Sequence, residues 1–269
     1  MLQNLETLDL RVSNSFYETP NDISKLRKLR HLLGYNMSLF QLKNAGIGGL
    51  ESLQTLSEVI IDKDGIELIR ELEKLRQLRK LSLVGVRREH GSALSSLLDK
   101  MRHLEKLRVG SKSRIQFDYE VIDLHLVSSP PMLRNLRLHG RLEKFPEWIP
   151  NLQNLVELLL TRSQLTDDPI KYLENMQSLL SLSIIDNAYE GESLHFHDGG
   201  FQKLKELYIK ELPNLNSIII DKGALHVLKK FELSSIPNLK EVPTGIQNLE
   251  KLEILNVWDV PLVEFYPKL

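Results

Sequence analysis

The stretch Leu133-Arg134-Asn135-Leu136-Arg137-Leu138 decides the fold. Its leucines are spaced three and then two, which no single face of an amphipathic helix produces. The last two alternate with period two, as side chains on one face of a short strand do. Working outward, the same L-x-x-L-x-(L/I/V) pattern recurs along the whole chain. Its middle apolar position falls at Leu8, Leu32, Leu56, Leu81, Leu107, Leu136, Leu158, Leu182, Leu207, Phe231 and Leu255. The successive intervals are 24, 24, 25, 26, 29, 22, 24, 25, 24 and 24 residues. A unit this short cannot bury its apolar face alone, so neighbouring units must stack to complete a shared core.

An interval of roughly 20–29 residues built on this pattern is the signature of a leucine-rich repeat solenoid. The predicted fold class is therefore an α/β solenoid, a horseshoe of about 11 irregular repeats spanning residues 1–269 as one domain. Short parallel strands form its concave sheet, and loops or short helices return along the convex side. The returns differ in kind. Leu212-Pro213-Asn214-Leu215, Ile236-Pro237-Asn238-Leu239 and Phe145-Pro146-Glu147-Trp148-Ile149 carry proline, which donates no backbone hydrogen bond and suits an irregular turn. Ile66, Ile69, Leu72 and Leu75 instead recur at helical spacing, and Ala93 to Met101 behaves likewise. The longest interval, Leu107 to Leu136, contains Ile115-Gln116-Phe117-Asp118-Tyr119 and predicts an extra strand-like segment. Five residues after the repeat's middle leucine, only Asn187 supplies the side-chain amide that often links such repeats, so an irregular stack is expected.

Composition narrows the function. The chain holds no cysteine, which removes thiol nucleophiles and disulfide-sealed caps. No stretch approaches the roughly 18 apolar residues of a membrane span, and no basic region precedes an apolar one at the N-terminus. A cytoplasmic protein is expected. The formal net charge of -1 gives no global attraction for nucleic acid or an anionic membrane.

The strings between the leucines are more specific. Residues 29–35 (LRHLLGY), 133–149 (LRNLRLHGRLEKFPEWI), 204–218 (LKELYIKELPNLNSI) and 231–255 (FELSSIPNLKEVPTGIQNLEKLEIL) occur in that order. In them the chain resembles the leucine-rich repeat region of plant intracellular coiled-coil nucleotide-binding disease-resistance receptors. The resemblance implies protein–protein recognition: sensing pathogen effectors or guarded host proteins, and restraining the receptor's nucleotide-binding module. The departures matter equally. No G-x-x-x-x-G-K-[ST] phosphate loop is present, and Gly46-Ile47-Gly48-Gly49 is followed by no lysine-serine or lysine-threonine. Leu5, Leu8 and Leu10 read as an interior repeat without a cap. The domain is therefore expected to be N-terminally incomplete, with no nucleotide-binding or coiled-coil domain, no cofactor and no catalysis. The alternatives are a substrate-binding subunit of a ubiquitin ligase and a non-functional receptor fragment.

Concave positions beside the strand leucines are the default binding surface of a solenoid. In the middle repeats they are cationic: Arg79, Lys80, Lys106, Arg108, Arg134, Arg137 and His139. From Arg70 to Ile115 there are 13 Lys/Arg against 5 Asp/Glu. With strands about 5 Å apart, these side chains are expected to form a continuous stripe fitting an acidic protein surface, such as the receptor's own nucleotide-binding module. Farther on, Tyr208, Lys210, Lys230 and Trp258 complete the candidate partner-binding residues, the aromatics because they supply large contact area. No aromatic interleaves with the cationic stripe as base stacking requires, which argues against nucleic acid. His195-Phe196-His197-Asp198 has a chelate-like spacing, but no further ligand cluster converges on it, and it reads as a solvated return loop.

Overall fold

The computed structural model describes residues 2–11, 23–61, 65–111, 113–115 and 118–261. The chain divides into two compact units, residues 1–135 and 136–269.

The first unit is built on parallel strands β1 (Thr7–Asp9), β2 (His31–Leu33), β3 (Met37–Ser38), β4 (Thr55–Ile60), β5 (Lys80–Val86) and β6 (Lys106–Ser111). Their order is β1-β2-β4-β5-β6, with β3 beside β4. The leucine register predicted from sequence is the pairing register: Leu8 opposes Leu32, Leu56 opposes Leu81, and Leu81 opposes Leu107. An antiparallel pair, β7 (Ser113–Ile115) and β8 (Asp118–Tyr119), occupies the long interval where an extra segment was expected. Gln116 and Phe117 of that segment lie outside the described residues.

Returns in this unit are helical: α1 (Leu39–Asn44), α2 (Gly65–Leu72) and α3 (Gly91–Lys100). The second is shorter than the sequence spacing suggested. It ends at Leu72 and turns Leu68, Ile69 and Leu72 inward, leaving Ile66 exposed. Leu75 is still buried, but from the turn that follows, where Leu78 N–H donates to Leu75 C=O.

The second unit carries β9 (Asn135–His139), β10 (Glu157–Thr161), β11 (Ser181–Ile185), then β12 (Ser193–Phe196) on its return side. Next come β13 (Glu206–Lys210), β14 (Ser217–Ile220, return side), β15 (Lys230–Ser234) and β16 (Ile254–Trp258). The main strands run β9-β10-β11-β13-β15-β16, and every pair from β10 to β16 is unshifted. One short helix, α4 (Ile170–Leu173), is present, begun by the Asp168 carboxylate accepting Ile170 N–H at 2.9 Å. The Pro-Asn-Leu returns hold themselves to the preceding repeat. Asn214 Nδ2 donates to Glu190 C=O at 3.0 Å, and Asn238 Nδ2 donates to Pro213 C=O at 2.7 Å.

Two backbone devices explain how units stack. Before each strand, one carbonyl accepts two successive N–H groups from the next repeat. Gln54 C=O takes Arg79 and Lys80, Lys205 C=O takes Lys229 and Lys230, and Lys229 C=O takes Glu253 and Ile254. Both carbonyl lone pairs are thereby used. Four residues after the middle leucine the chain turns left-handed. This occurs at Asn36 (φ 50°) and Gly85 (75°) in the first unit, and at Arg162 (56°), Asp186 (52°), Glu211 (53°), Ser235 (53°) and Asp259 (53°) in the second. There the ladder continues through main chain: Arg162 N–H to Asp186 C=O at 2.8 Å, Glu211 N–H to Ser234 C=O at 2.9 Å, Ser235 N–H to Trp258 C=O at 3.1 Å. Asn187, expected to link repeats through its amide, is exposed; its neighbours in register, Ser163, Leu212 and Ile236, are buried. Backbone therefore does the work expected of an asparagine ladder, and the stack in the second unit is more regular than its side chains suggested.

Candidate docking surface on the strand faces

Alternation along each strand sorts its residues between core and outer face. On β5, Leu81 and Leu83 are buried, so Lys80, Ser82 and Val84 face outward; on β6, buried Leu107 and Val109 leave Lys106 and Arg108 on the same side, and the strand is buried from Val109 on. Parallel pairing sets Lys80 directly opposite Lys106 and Ser82 opposite Arg108. Directly opposed like charges destabilise a sheet pair. Among the described residues, neither lysine side chain meets a carboxylate. Arg79 and Arg134 lie just before their strands, in the turn whose N–H groups bind the previous repeat, at the rim of this face.

The expected cationic stripe is not uniformly cationic. Arg79 pairs with Glu105 at 2.6 Å and Arg108 with Glu58 at 3.1 Å. In the second unit Arg137 pairs with Glu157 at 2.7 Å, and His139 is half-buried on the same strand. Solvent-exposed pairs of this kind contribute about 0–1 kcal/mol each, so they cancel local charge without locking the face against a competing anion.

Around Tyr208 the second unit gathers a mixed cluster. Its ring lies 5.4 Å from Lys210 Nζ and 5.0 Å from Lys230 Nζ, and its hydroxyl donates to Glu206 Oε2 at 3.1 Å. Glu232 receives Lys210 at 2.5 Å and Lys230 at 3.4 Å. The Lys210 hydrogen bond holds the Glu232 carboxyl below its usual range, while burial foremost pushes the Tyr208 phenol up. Trp258 stands 72% exposed at the end of β16, and Leu159 on β10 is half-buried. The tryptophan therefore presents its face outward rather than covering core.

His195 and His197 belong to β12 and its end, a short strand where sequence suggested a loop. Their rings lie 4.2 Å apart, yet each is claimed by a different carboxylate: His195 Nε2 meets Asp221 Oδ1 and His197 Nδ1 meets Glu174 Oε2, both at 2.9 Å. The His195 hydrogen bond lowers the Asp221 pKa. Among the described residues, no three His, Asp or Glu side chains are grouped to hold a metal ion.

The acidic partners were the residues that sequence reasoning missed. Glu105 and Glu157 stand one repeat from the arginines they neutralise and could be read from the register. Glu58 could not. It sits where β4 gains one residue against β5, so that Ser57 and Glu58 together oppose Ser82. The 25-residue interval from Leu56 to Leu81 hints at this. However, Leu182 to Leu207 is equally long, and β11 and β13 pair without any shift.

Residues 1–259 match a family described as a leucine-rich repeat region. The chain belongs to that family. The repeat region is similar to two Arabidopsis thaliana proteins named for disease resistance. It is 38% identical to disease resistance protein RPM1 over 71% of this chain and 20% of the relative. It is 26% identical to disease resistance protein RPP8 over 95% of this chain and 28% of the relative. It thus spans between a fifth and a third of the length of these curated relatives. Among solved structures, an internalin (inlF) from Listeria monocytogenes superposes with a TM-score of 0.59 at 17% identity, covering 96% of this chain and 75% of that one. The leucine-rich repeat domain of the type III effector XopL gives 0.50 at 19% identity, covering 94% and 76%. These likenesses establish the fold, and the curated relatives bear out the resemblance to disease-resistance proteins. No helix among the described residues is long and apolar enough to cross a membrane.

Proposed function

We propose that the repeat region is the protein-recognition part of a plant disease-resistance receptor acting in the cytoplasm. It would sense pathogen effectors or guarded host proteins, and restrain a nucleotide-binding module, through the outer faces of its strands. The observation that carries this reading is the opposed pair Lys80 and Lys106, set side by side by the β5–β6 register without a carboxylate among the described residues. Such an arrangement costs the folded chain free energy that an acidic partner would recover. The relatives named for disease resistance supply the biological setting.

The test is a double reversal, Lys80→Glu with Lys106→Glu, with titration of an acidic protein module at several salt concentrations. Binding should weaken roughly tenfold or more and lose much of its salt dependence. Unchanged affinity and an unchanged salt slope, in a variant with wild-type circular dichroism, would overturn the reading.

A further inference from the structure

Among the described residues of the first unit's strands, Glu58 at the β4 bulge is the one residue other than glycine with a positive φ. Glu58 has φ 28°, in the left-handed region that a glutamate rarely adopts, and it stands outside the left-handed column that closes the repeats. A β-bulge of this kind re-aims a side chain. Ser57 is turned toward β2, where its Oγ accepts Gly34 N–H at 3.1 Å. Glu58 is sent the other way, across β5, to Arg108 Nη1 of β6 at 3.1 Å. It passes over the position of Ser82, whose buried hydroxyl finds no hydrogen-bond partner among the described residues. Strain held at a residue other than glycine, delivering one carboxylate, is the kind of outlier that motivates a functional reading.

We propose that Glu58 is an internal placeholder in a carboxylate-binding site formed by Lys80, Lys106 and Arg108. Its intended occupant is an aspartate- or glutamate-rich segment of a partner protein. The inference rests on the recognition reading above and specifies its mechanism. With the face empty, Glu58 neutralises Arg108 and leaves the lysine pair to attract the partner. On docking, a partner carboxylate replaces Glu58 on Arg108, and the lysines engage its neighbours. The placeholder sets a threshold: a partner with a single carboxylate merely exchanges one surface pair for another, whereas one with several gains the lysines too. Charge alone suits any polyanion, and the lack of a stacking surface favours an acidic peptide over nucleic acid. The outward residues Lys80, Ser82, Val84, Lys106 and Arg108 include no aromatic on which a base could stack.

The experiment uses the 269-residue chain and a fluorescent oligoglutamate peptide followed by anisotropy. Glu58→Gln should tighten binding roughly two- to fivefold, the worth of one exposed ion pair. Glu58→Asp, which keeps the charge but shortens the reach, should tighten it by a comparable factor. Glu67→Gln makes the same charge change on α2, where the carboxylate is 75% exposed and 3.7 Å from Lys43, and should leave affinity unchanged. The placeholder is overturned if Glu58→Gln has no effect or weakens binding, or if Glu67→Gln tightens it equally. If that happens while the Lys80/Lys106 reversal still abolishes binding, the recognition reading survives alone. If the reversal also leaves binding untouched, both fail. Tighter binding of an oligothymidylate strand than of oligoglutamate would overturn the acidic-segment assignment.

Discussion

The two units solve one problem with different return paths. Both bury a leucine ladder at the same register, yet the first returns through helices and carries shifts within β4–β5 and β5–β6, while β10 through β16 pair without one. In the second unit the return side forms a ladder of its own, β12 on β14, with further bridges from Leu165 to Tyr189 and from Ile219 to Thr244. A helix spaces its neighbours by side-chain bulk and tolerates an extra residue on the strand side. A second strand ladder fixes the repeat at both edges and does not. Among the described strand pairs, the register shifts, and with them a re-aimed Glu58, fall in the helical unit.

The comparison can be broken most severely from the core. Phe231 is fully buried, and its replacement by alanine should cost about 3–5 kcal/mol. Because repeats stabilise only their neighbours, hydrogen exchange should show lost protection from β13 to β16 while β4 and β5 stay protected. Uniform loss in both units would show that they do not unfold separately.

A smaller effect compares two left-handed glycines. At Gly245 (φ 86°) a Cβ would lie 1.9 Å from Ile220 C=O, whereas at Gly85 (φ 75°) the nearest atom, Ile61 C=O, is 3.3 Å away. Alanine at Gly85 should cost about 1–2 kcal/mol from backbone conformation alone. Alanine at Gly245 should cost more, because backbone must also move. Equal losses in urea denaturation would mean that the second unit's return side is no stiffer than the end of β5 in the first.

The smallest effect is on pH, and it belongs to the first unit. His90 is buried, its Nδ1 accepts Arg87 N–H at 3.1 Å, and burial foremost lowers its pKa below 6.5, with Arg87 adding to the shift and Glu89 and Glu120 opposing it. The unfolded chain then binds the proton more readily than the folded one. The histidine's contribution is complete above pH 6.5 and is lost as pH falls through the lower, folded value. Thermal unfolding should show this acid loss in the wild type and a shallower slope in His90→Gln.

Much of this architecture was legible. The middle leucines gave the strands and their register because a period-two pattern inside a fixed repeat leaves one consistent stacking. Lys80, Lys106 and Arg108 were identifiable as outward-facing for the same reason. The counter-charge that Glu58 brings to Arg108 was not, since pairing across two repeats depends on where an extra residue is absorbed. The interval length that produces the Glu58 bulge is absorbed on the return side at Leu182–Leu207. Asn187 misled because a side-chain amide was sought where main chain already served. The asparagines that do bridge repeats, Asn214 and Asn238, sit in the Pro-Asn-Leu turns instead.

The left-handed column has a consequence for how such an array can change. Its described members are asparagine, glycine, arginine, aspartate, glutamate and serine; main-chain bonds join successive turns at Arg162, Glu211 and Ser235, and Arg162 and Asp186 add a side-chain ion pair. Each L-residue there carries up to about 1–2 kcal/mol of conformational cost, least for asparagine and aspartate. A rim position whose identity scarcely affects folding can be rewritten one repeat at a time. The column thus supplies a row of interchangeable letters along the edge of the strand faces, fixed in place and open in content.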